Sequence, residues 1–167
     1  MRLKNKVAIV TGGSRDIGRA VSIQLAQEGA KVVINYHSNK SNAEETLKQI
    51  TDNGGEGIIV KGDVTKSAEV AELINKTKET YGDEIHILVN VAGGMIARKA
   101  TLEIDEDFWD EVMDLNLKSV FLVSQATIPH MKSGAAIVNL SSLAGRDGGG
   151  PGASAYATAK GGIMTYT

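Results

Sequence analysis

The 167-residue sequence contains no cysteine, only two prolines and few aromatic residues. Without cysteine, disulfides, thiolate metal sites and cysteine nucleophiles are excluded. No apolar run is long enough to cross a bilayer. Residues 1–6 run directly into a strand-like segment and do not form the apolar stretch of a signal peptide. We therefore expect a cytoplasmic protein that has no membrane partner.

The charges are nearly balanced, with 18 Lys and Arg against 20 Asp and Glu and a formal net charge of −2. This balance gives no electrostatic reason to expect a nucleic-acid partner. The three histidines, His37, His86 and His130, are scattered over different predicted elements and lack ligand spacing. The sequence therefore predicts no metal site.

The length suits one domain, and the 42% hydrophobic and 23% charged residues are typical of a globular protein. Short β-branched runs alternate with helical patterns along the whole chain. Predicted strands cover residues 6–10, 31–36, 57–61, 86–90 and 135–140. Predicted helices cover residues 17 to near 29, 42–50, 67–81 and 108–126, and another opens near Ser154. The alternation predicts an α/β fold over residues 1–167, with a doubly wound parallel sheet of the Rossmann type.

The first predicted strand ends in a glycine-containing segment, residues 11–18, which leads into a helix. Gly12 and Gly18 allow a tight turn and a close approach to a pyrophosphate, and the helix N-terminus supplies free N–H groups. Asp16 stands where a third glycine is expected, and a carboxylate there repels a pyrophosphate. We expect Asp16 to cap the helix and to point away from the ligand. The pattern predicts nucleotide binding, although such a segment is often only a turn.

The second predicted strand ends without the carboxylate that would bind the ribose 2′-hydroxyl of NAD. Arg15 and Ser38, with His37 as a third candidate, can instead receive a 2′-phosphate. This favours NADP(H) over NAD(H) as the cofactor. The alternative for Arg15 is an ordinary solvated charge.

Tyr156 and Lys160 are four residues apart, so on a helix their side chains share one face. A free tyrosine titrates near pH ~10, and a nearby ammonium favours its phenolate form. The pair is thus a plausible acid/base device. The alternative is an exposed amphipathic pair. The Gly-rich stretch Gly145 to Gly152, just before this helix, is predicted to be a mobile loop beyond a strand's carboxyl end, where a doubly wound sheet binds its ligand.

In this combination the sequence resembles the short-chain dehydrogenase/reductase family, and most of all its 3-oxoacyl-acyl-carrier-protein reductase-like members. The resemblance runs from about Lys4 to the last residue. The matching motifs are Thr11-Gly12-x-x-x-x-x-Gly18, Asp63-Val64, Asn90-Val91-Ala92-Gly93, Asn116, Ser141-Ser142 and Tyr156-x-x-x-Lys160.

The resemblance implies an NADP(H)-dependent oxidoreductase that interconverts a ketone and a secondary alcohol by hydride transfer. The substrate would be a small molecule or a 3-oxoacyl thioester on an acyl carrier. Tyr156 would exchange a proton with the substrate oxygen, and Lys160 would assist it and bind the nicotinamide ribose. Ser142 would orient the carbonyl, and Asn116 would hold a water that links Lys160 to solvent. The implied cofactor-binding residues are Gly12, Ser14, Arg15, Asp16, Ile17, Gly18, Tyr36, His37, Ser38, Asp63, Val64, Asn90, Ala92, Gly93, Tyr156 and Lys160.

Ser142 is preferred to Ser141 because side chains alternate along a strand, so that only one of the two is expected to face the cleft. The residues after Ser142 also resemble the family pattern. For either serine, the alternative is a turn hydroxyl that bonds local backbone.

Besides Asp16, two features depart from the family pattern. Val91 stands where the family repeats asparagine, so we expect a structural hydrogen bond to be lost. The chain stops at Thr167, inside the helix that carries Lys160, where the family continues with further strands and helices. We therefore expect a fold that is incomplete on this side, with strand five at an open edge. The alternative to an enzyme is accordingly a truncated or partial nucleotide-binding fragment without turnover.

The long predicted helix carries a second apolar set, Trp109, Met113, Leu117 and Val120. A helix that is apolar on two sides is either deeply buried or shared with another subunit. Since an outer-layer helix needs only one buried face, this set favours the subunit contact. Together with the family resemblance, it predicts a homo-oligomer, either a dimer or a tetramer.

Overall fold

The computed structural model describes residues 1–167 and contains one parallel five-stranded sheet with helices on both faces. The strands are β1 (Val7–Thr11), β2 (Lys31–Tyr36), β3 (Glu56–Lys61), β4 (Ile87–Asn90) and β5 (Ala136–Asn139). They lie in the order β3-β2-β1-β4-β5, and every neighbouring pair is parallel. The predicted doubly wound, Rossmann-like α/β fold is confirmed.

The helices are α1 (Asp16–Gln27), α2 (Lys40–Asp52), α3 (Ser67–Tyr81), α4 (Glu106–Met113), α5 (Ser119–Thr127), α6 (Ala144–Asp147) and α7 (Ser154–Tyr166). A π-helical turn, Asp114–Lys118, joins α4 to α5, so these elements form the single long helix that the periodicity predicts. The short α6 lies inside the stretch predicted to be a loop. Its glycine gives it poor helix propensity, but it packs directly on α7, where a Cβ on Gly145 would lie 2.7 Å from the backbone nitrogen of Gly161.

The central strand β1 is buried along its whole length, which explains its unbroken apolar sequence. One face of the sheet packs Ile9 and Leu88 against Leu73 of α3 and Val123 of α5. The opposite face packs Val10, Val32 and Ile34 with Ala26 of α1 and Ile50 of α2. Because strand order reverses between β2 and β4, a crevice forms beyond the carboxyl ends of β1 and β4.

β5 lies at an open edge of the sheet, as expected, and its Val138 is 53% exposed. The second apolar set of the long helix does not stay together. Val120 is buried, whereas Met113 and Leu117 line an open groove with Phe121 and Tyr166. Association of copies of the chain through this groove stays a prediction. None of the helices combines the length and the apolar character that a membrane-crossing helix requires.

Candidate active site

A cavity of about 1130 Å³ lies beyond the carboxyl ends of the strands. Its wall contains every residue that the sequence singles out for catalysis or cofactor binding, except Asn90 and Asn116. Residues from both halves of the chain therefore meet at one place. The first glycine loop (residues 11–18) lies on this wall, and so do Tyr156 and Lys160 of α7.

The first glycine loop has no room for side chains at its two outer glycines. Gly12 has a φ of +61°, and a Cβ there would lie 3.0 Å from the Cα of Ala92. A Cβ on Gly18 would lie 2.1 Å from the carbonyl oxygen of Gly12. Arg19 and Thr46 both donate hydrogen bonds to the carbonyl of Ser14, at 3.0 Å for the shorter arginine bond and 3.0 Å for the threonine. The loop is therefore a fixed, backbone-lined cradle.

Asp16 does not cap α1, so this prediction is wrong. The helix begins at Asp16 itself, and the preceding Arg15 makes no side-chain capping bond. Asp16 has a φ of +48°, the left-handed region that favours glycine, which turns its side chain into solvent, where it is 79% exposed. Its carboxylate lies 3.7 Å from the Nε of Arg15. Asp16 thus takes up the glycine conformation and places its carboxyl group on the cavity wall.

One end of the cavity carries the cations Arg15 and Lys66 and one anchored carboxylate, that of Asp63. Arg15, His37, Ser38 and Lys66 line this end. The side chains of Arg15 and His37 are both 73% exposed, and the Nε2 of His37 lies 4.0 Å from the Oδ2 of Asp63. Lys66 was not found by sequence analysis, because it belongs to no motif. An anionic group at this end would have cationic neighbours.

Asp63 is held in place by Thr65, whose backbone N–H and hydroxyl donate to its Oδ1 at 2.9 and 2.8 Å. Partial burial acts to raise the pKa of Asp63, but these hydrogen bonds and the nearby His37 outweigh it and leave the pKa below its ordinary value. The carboxylate is therefore ionised at neutral pH. Its Oδ2 remains available to accept a hydrogen bond from an amino group in the cavity.

Tyr156 and Lys160 lie on the same face of α7 and both line the cavity, as the four-residue spacing predicts. The Nζ of Lys160 lies 5.8 Å from the centre of the Tyr156 ring and donates a 2.9 Å hydrogen bond to the carbonyl of Leu140. Lys160 is only 3% exposed, and this burial lowers its pKa. The pair is not an exposed amphipathic pair.

The lowered pKa of Lys160 makes the stability of the fold depend on pH. Between the lowered pKa of the folded chain and the ordinary value of 10.5, Lys160 keeps its proton in the unfolded chain but loses it in the folded chain. We expect the free energy of unfolding to rise as the pH increases from the depressed folded pKa to 10.5. Urea unfolding at a series of alkaline pH values should show this rise in the native protein and not in Lys160→Met. Parallel pH profiles for the two proteins would contradict it.

Both serines beyond β5 line the cavity, although only one was expected to do so. The strand ends at Asn139, so the alternation of side chains no longer applies at Ser141 and Ser142. Ser141 donates a 2.6 Å hydrogen bond to the carbonyl of Lys160 and so attaches this segment to α7. The Oγ of Ser142 accepts a 3.2 Å bond from the backbone N–H of Ala144, which leaves its hydroxyl proton free to donate into the cavity.

Asn116 is fully buried in the π-helical turn and does not line the cavity. Its side chain accepts from the N–H of Gly94 at 2.8 Å and donates to the carbonyl of Gly94 at 3.1 Å. A Cβ on Gly93 would lie 2.8 Å from the Oδ1 of Asn116 and 3.2 Å from the Nζ of Lys160. Asn116 thus fixes the backbone beside Lys160, and the expected water stays a prediction.

Asn90 also lies behind the cavity wall and is 2% exposed. Its Nδ2 donates to the Oδ1 of Asn139 at 2.9 Å and to the Oγ of Ser124 at 3.3 Å, which ties β4 to β5 and α5. Its Oδ1 has no hydrogen-bond partner within the protein. Thr11, at the end of β1, accepts from the backbone N–H of Val91 at 3.1 Å. Asn90 therefore has a role within the sheet, and its implied contact with a cofactor stays a prediction.

Several wall residues escaped the sequence analysis. They are Asn35, Asn39, Asn42, Gly62, Thr65, Lys66, Gly94, Glu111, Asp114, Leu115 and Leu140. Only Thr65 gave a usable signal, because an aspartate two residues before a threonine predicts a local turn bond. The others reach the wall through the topology of the sheet, which brings distant segments together.

Comparison with known proteins finds related sequences and structures that match nearly the whole chain. The sequence profile described as "short chain dehydrogenase" matches residues 6–167. A 3-oxoacyl-[acyl-carrier-protein] reductase of Staphylococcus epidermidis is 39% identical over 166 residues, which cover 98% of this chain and 66% of that protein. The chain thus spans about two thirds of this relative.

Two solved structures superpose closely but differ in the cofactor that they contain. A short chain dehydrogenase from Burkholderia cenocepacia in complex with NADP has a TM-score of 0.94 at 31% identity, covering 100% of this chain and 67% of the other. An NADH-dependent reductase named A1-R′, complexed with NAD, has a TM-score of 0.92 at 36% identity, covering 98% and 70%. The two neighbours therefore contain different dinucleotides.

Proposed function

Because the chain belongs to the short-chain dehydrogenase family, we propose that its cavity binds NADP(H) and that Tyr156 serves the interconversion of a ketone and a secondary alcohol. The observation that carries the proposal is the position of Tyr156 and Lys160 in the same cavity as the first glycine loop and Asp63. A dinucleotide that reaches from this loop to α7 would contact polar residues of the cavity wall along its whole length.

The residues fit such a cofactor in three places. The backbone of Gly18 lies so close to that of Gly12 that only glycine fits there, which gives the tight turn that a pyrophosphate site requires. The free Oδ2 of Asp63 suits the amino group of an adenine. Near Lys160, a side chain at position 93 would collide with Asn116 and crowd the ammonium, so only glycine fits there.

When bound, the nicotinamide supplies or accepts the hydride. In the reduction direction the substrate carbonyl oxygen gains negative charge, and Tyr156 donates its phenolic proton to that oxygen. The Ser142 hydroxyl donates a second hydrogen bond to the same oxygen and stabilises the charge. The buried ammonium of Lys160 favours the phenolate that remains on Tyr156. In the oxidation direction, the same groups act in reverse.

For the substrate, we propose a ketone or a 3-oxoacyl thioester on an acyl carrier. The name of the Staphylococcus epidermidis relative supports this class, and the open cavity admits a carbonyl beside Tyr156. Turnover of NADPH with such a substrate separates this proposal from the alternative, a nucleotide-binding fragment without turnover.

The preference for NADP(H) depends mainly on Arg15. Replacing it with alanine should raise the Kd for NADPH about tenfold, because one charge-assisted bond to the 2′-phosphate is lost. The Kd for NADH should change by less than about twofold, since its 2′-hydroxyl carries no charge. Fluorescence titration with both cofactors measures the two constants. Arg146→Ala is the matched control, because Arg146 is exposed and lies outside the cavity. An equal rise in the Kd values for NADPH and NADH would contradict the role of Arg15.

A further inference from the structure

Between the short α6 and α7 the chain passes through a second glycine loop, residues 148–152. Four of its five residues are glycines with positive φ: 85° at Gly148, 68° at Gly149, 79° at Gly150 and 73° at Gly152. Such a segment has much conformational freedom when it is not held by other parts of the protein. The α7 helix that follows has no side-chain cap at Ala153. The start of α7 is therefore positioned by what holds this loop, together with the packing of Ala155 and Tyr156 against Phe108 and Val112.

Arg98 holds the second glycine loop from a segment 51 residues earlier. Its Nη1 donates hydrogen bonds to the carbonyls of Gly149 at 3.1 Å and Pro151 at 2.7 Å. The adjacent backbone N–H of Lys99 donates to the carbonyl of Gly152 at 3.1 Å. The two chains are in close contact, since a Cβ on Gly152 would lie 3.0 Å from the Cβ of Arg98.

The two functional residues of α7 differ in what holds them. The neighbourhood of Lys160 is fixed by its own bond to Leu140, by the bond from Ser141 and by the packing of Gly145 on Gly161. Tyr156 lies one turn earlier, three residues after Ala153, where the second glycine loop enters the helix. A shift of this loop therefore moves Tyr156 more than it moves Lys160.

We propose that Arg98 is a positioning residue for Tyr156, acting through its two bonds to the second glycine loop. It does not line the cavity and touches neither Tyr156 nor a cofactor site. This inference rests on the proposed function for its consequence in catalysis, but the hold of Arg98 on the loop is a separate physical claim. The test must therefore read the loop and the Tyr156 ring directly, besides turnover.

The test compares Arg98→Gln with Arg146→Gln, which removes another exposed charge, one that makes no side-chain hydrogen bond. In Arg98→Gln, the amides of residues 149–157 should exchange with deuterium about tenfold faster, because two bonds from a charged donor are lost.

Fluorine NMR of fluorotyrosine-labelled protein resolves four tyrosines, and the Tyr156 signal is identified by its absence in Tyr156→Phe. Only this signal should shift or broaden. Arg146→Gln should leave both measurements unchanged.

Turnover gives the catalytic part of the test. In Arg98→Gln, kcat should fall about tenfold, since the proton donor is displaced, whereas the Kd for NADPH should stay within about twofold. Arg98→Lys should recover part of the loss, because an ammonium can still donate to one of the carbonyls. If Arg98→Gln fails to fold, Gly152→Ala replaces it, since its methyl group would push the loop away from Arg98.

Unchanged exchange and an unchanged Tyr156 signal in Arg98→Gln would overturn the inference. A displaced Tyr156 signal with native kcat would equally overturn its positioning role. If the native protein shows no turnover at all, the proposed function fails, and the exchange and NMR results still decide whether Arg98 holds the loop.

Discussion

Tyr156→Phe is expected to lower turnover by about 10²–10⁴-fold, the usual contribution of a positioned acid or base. The phenyl ring keeps its packing against Phe108, Val112 and Ala155, so that the fold and the cavity remain intact. Only the hydroxyl that donates the proton is removed. NADPH affinity should therefore change by less than about twofold, because the phosphate and adenine contacts are untouched.

The measurement is the loss of reduced-cofactor absorbance with a panel of ketones and 3-oxoacyl thioesters, together with fluorescence titration of NADPH. Tyr166→Phe is the matched control, since Tyr166 lies on the same helix but is 44% exposed and outside the cavity. It should keep native turnover. Native turnover in Tyr156→Phe would remove the proposed proton donor.

Gly18→Ala is expected to weaken NADPH binding by about 100-fold or more, which corresponds to about 2.7 kcal/mol. Its new methyl group would lie 2.1 Å from the carbonyl oxygen of Gly12, a distance that real Cβ atoms do not reach. The loop must open to relieve this collision, so its backbone N–H groups no longer converge on a pyrophosphate. The free energy of unfolding should also fall, because Gly18 is buried at the start of α1.

Gly54→Ala separates the loss of affinity from a loss of stability. Gly54 has a φ of +75° and open space around it, and it lies outside the cavity. Alanine there should cost about 1 kcal/mol of stability through backbone strain and leave NADPH binding unchanged. An unaltered Kd for NADPH in Gly18→Ala would rule out the first glycine loop as the pyrophosphate site.

Local sequence signals predicted the sheet and most of the helices. β2 and α3 have the predicted bounds, Lys31–Tyr36 and Ser67–Tyr81, because glycines or turn residues stand near their ends. The shared face of Tyr156 and Lys160 also follows from helical spacing alone. These features depend on neighbours within one element, which a single sequence records.

Most of the features that were missed depend on contacts between distant segments. Asn116 and Asn90 lie behind the wall because their amides satisfy backbone and side-chain groups of other elements. Asp16 lies at the start of a helix, where the preference of aspartate for capping predicts the wrong role. Its left-handed φ belongs to the tight turn that brings Gly18 against Gly12, a conformation that the ordinary preferences of aspartate do not predict.

The most direct test of the account is a crystal structure of the chain with NADPH bound. We predict the adenine beside Asp63, the pyrophosphate on residues 12–18, and the nicotinamide ring in contact with Lys160 and facing the Tyr156 hydroxyl. A nicotinamide ring bound away from α7, or NADPH bound outside this cavity, would contradict the central claim that this tyrosine and lysine work beside the cofactor.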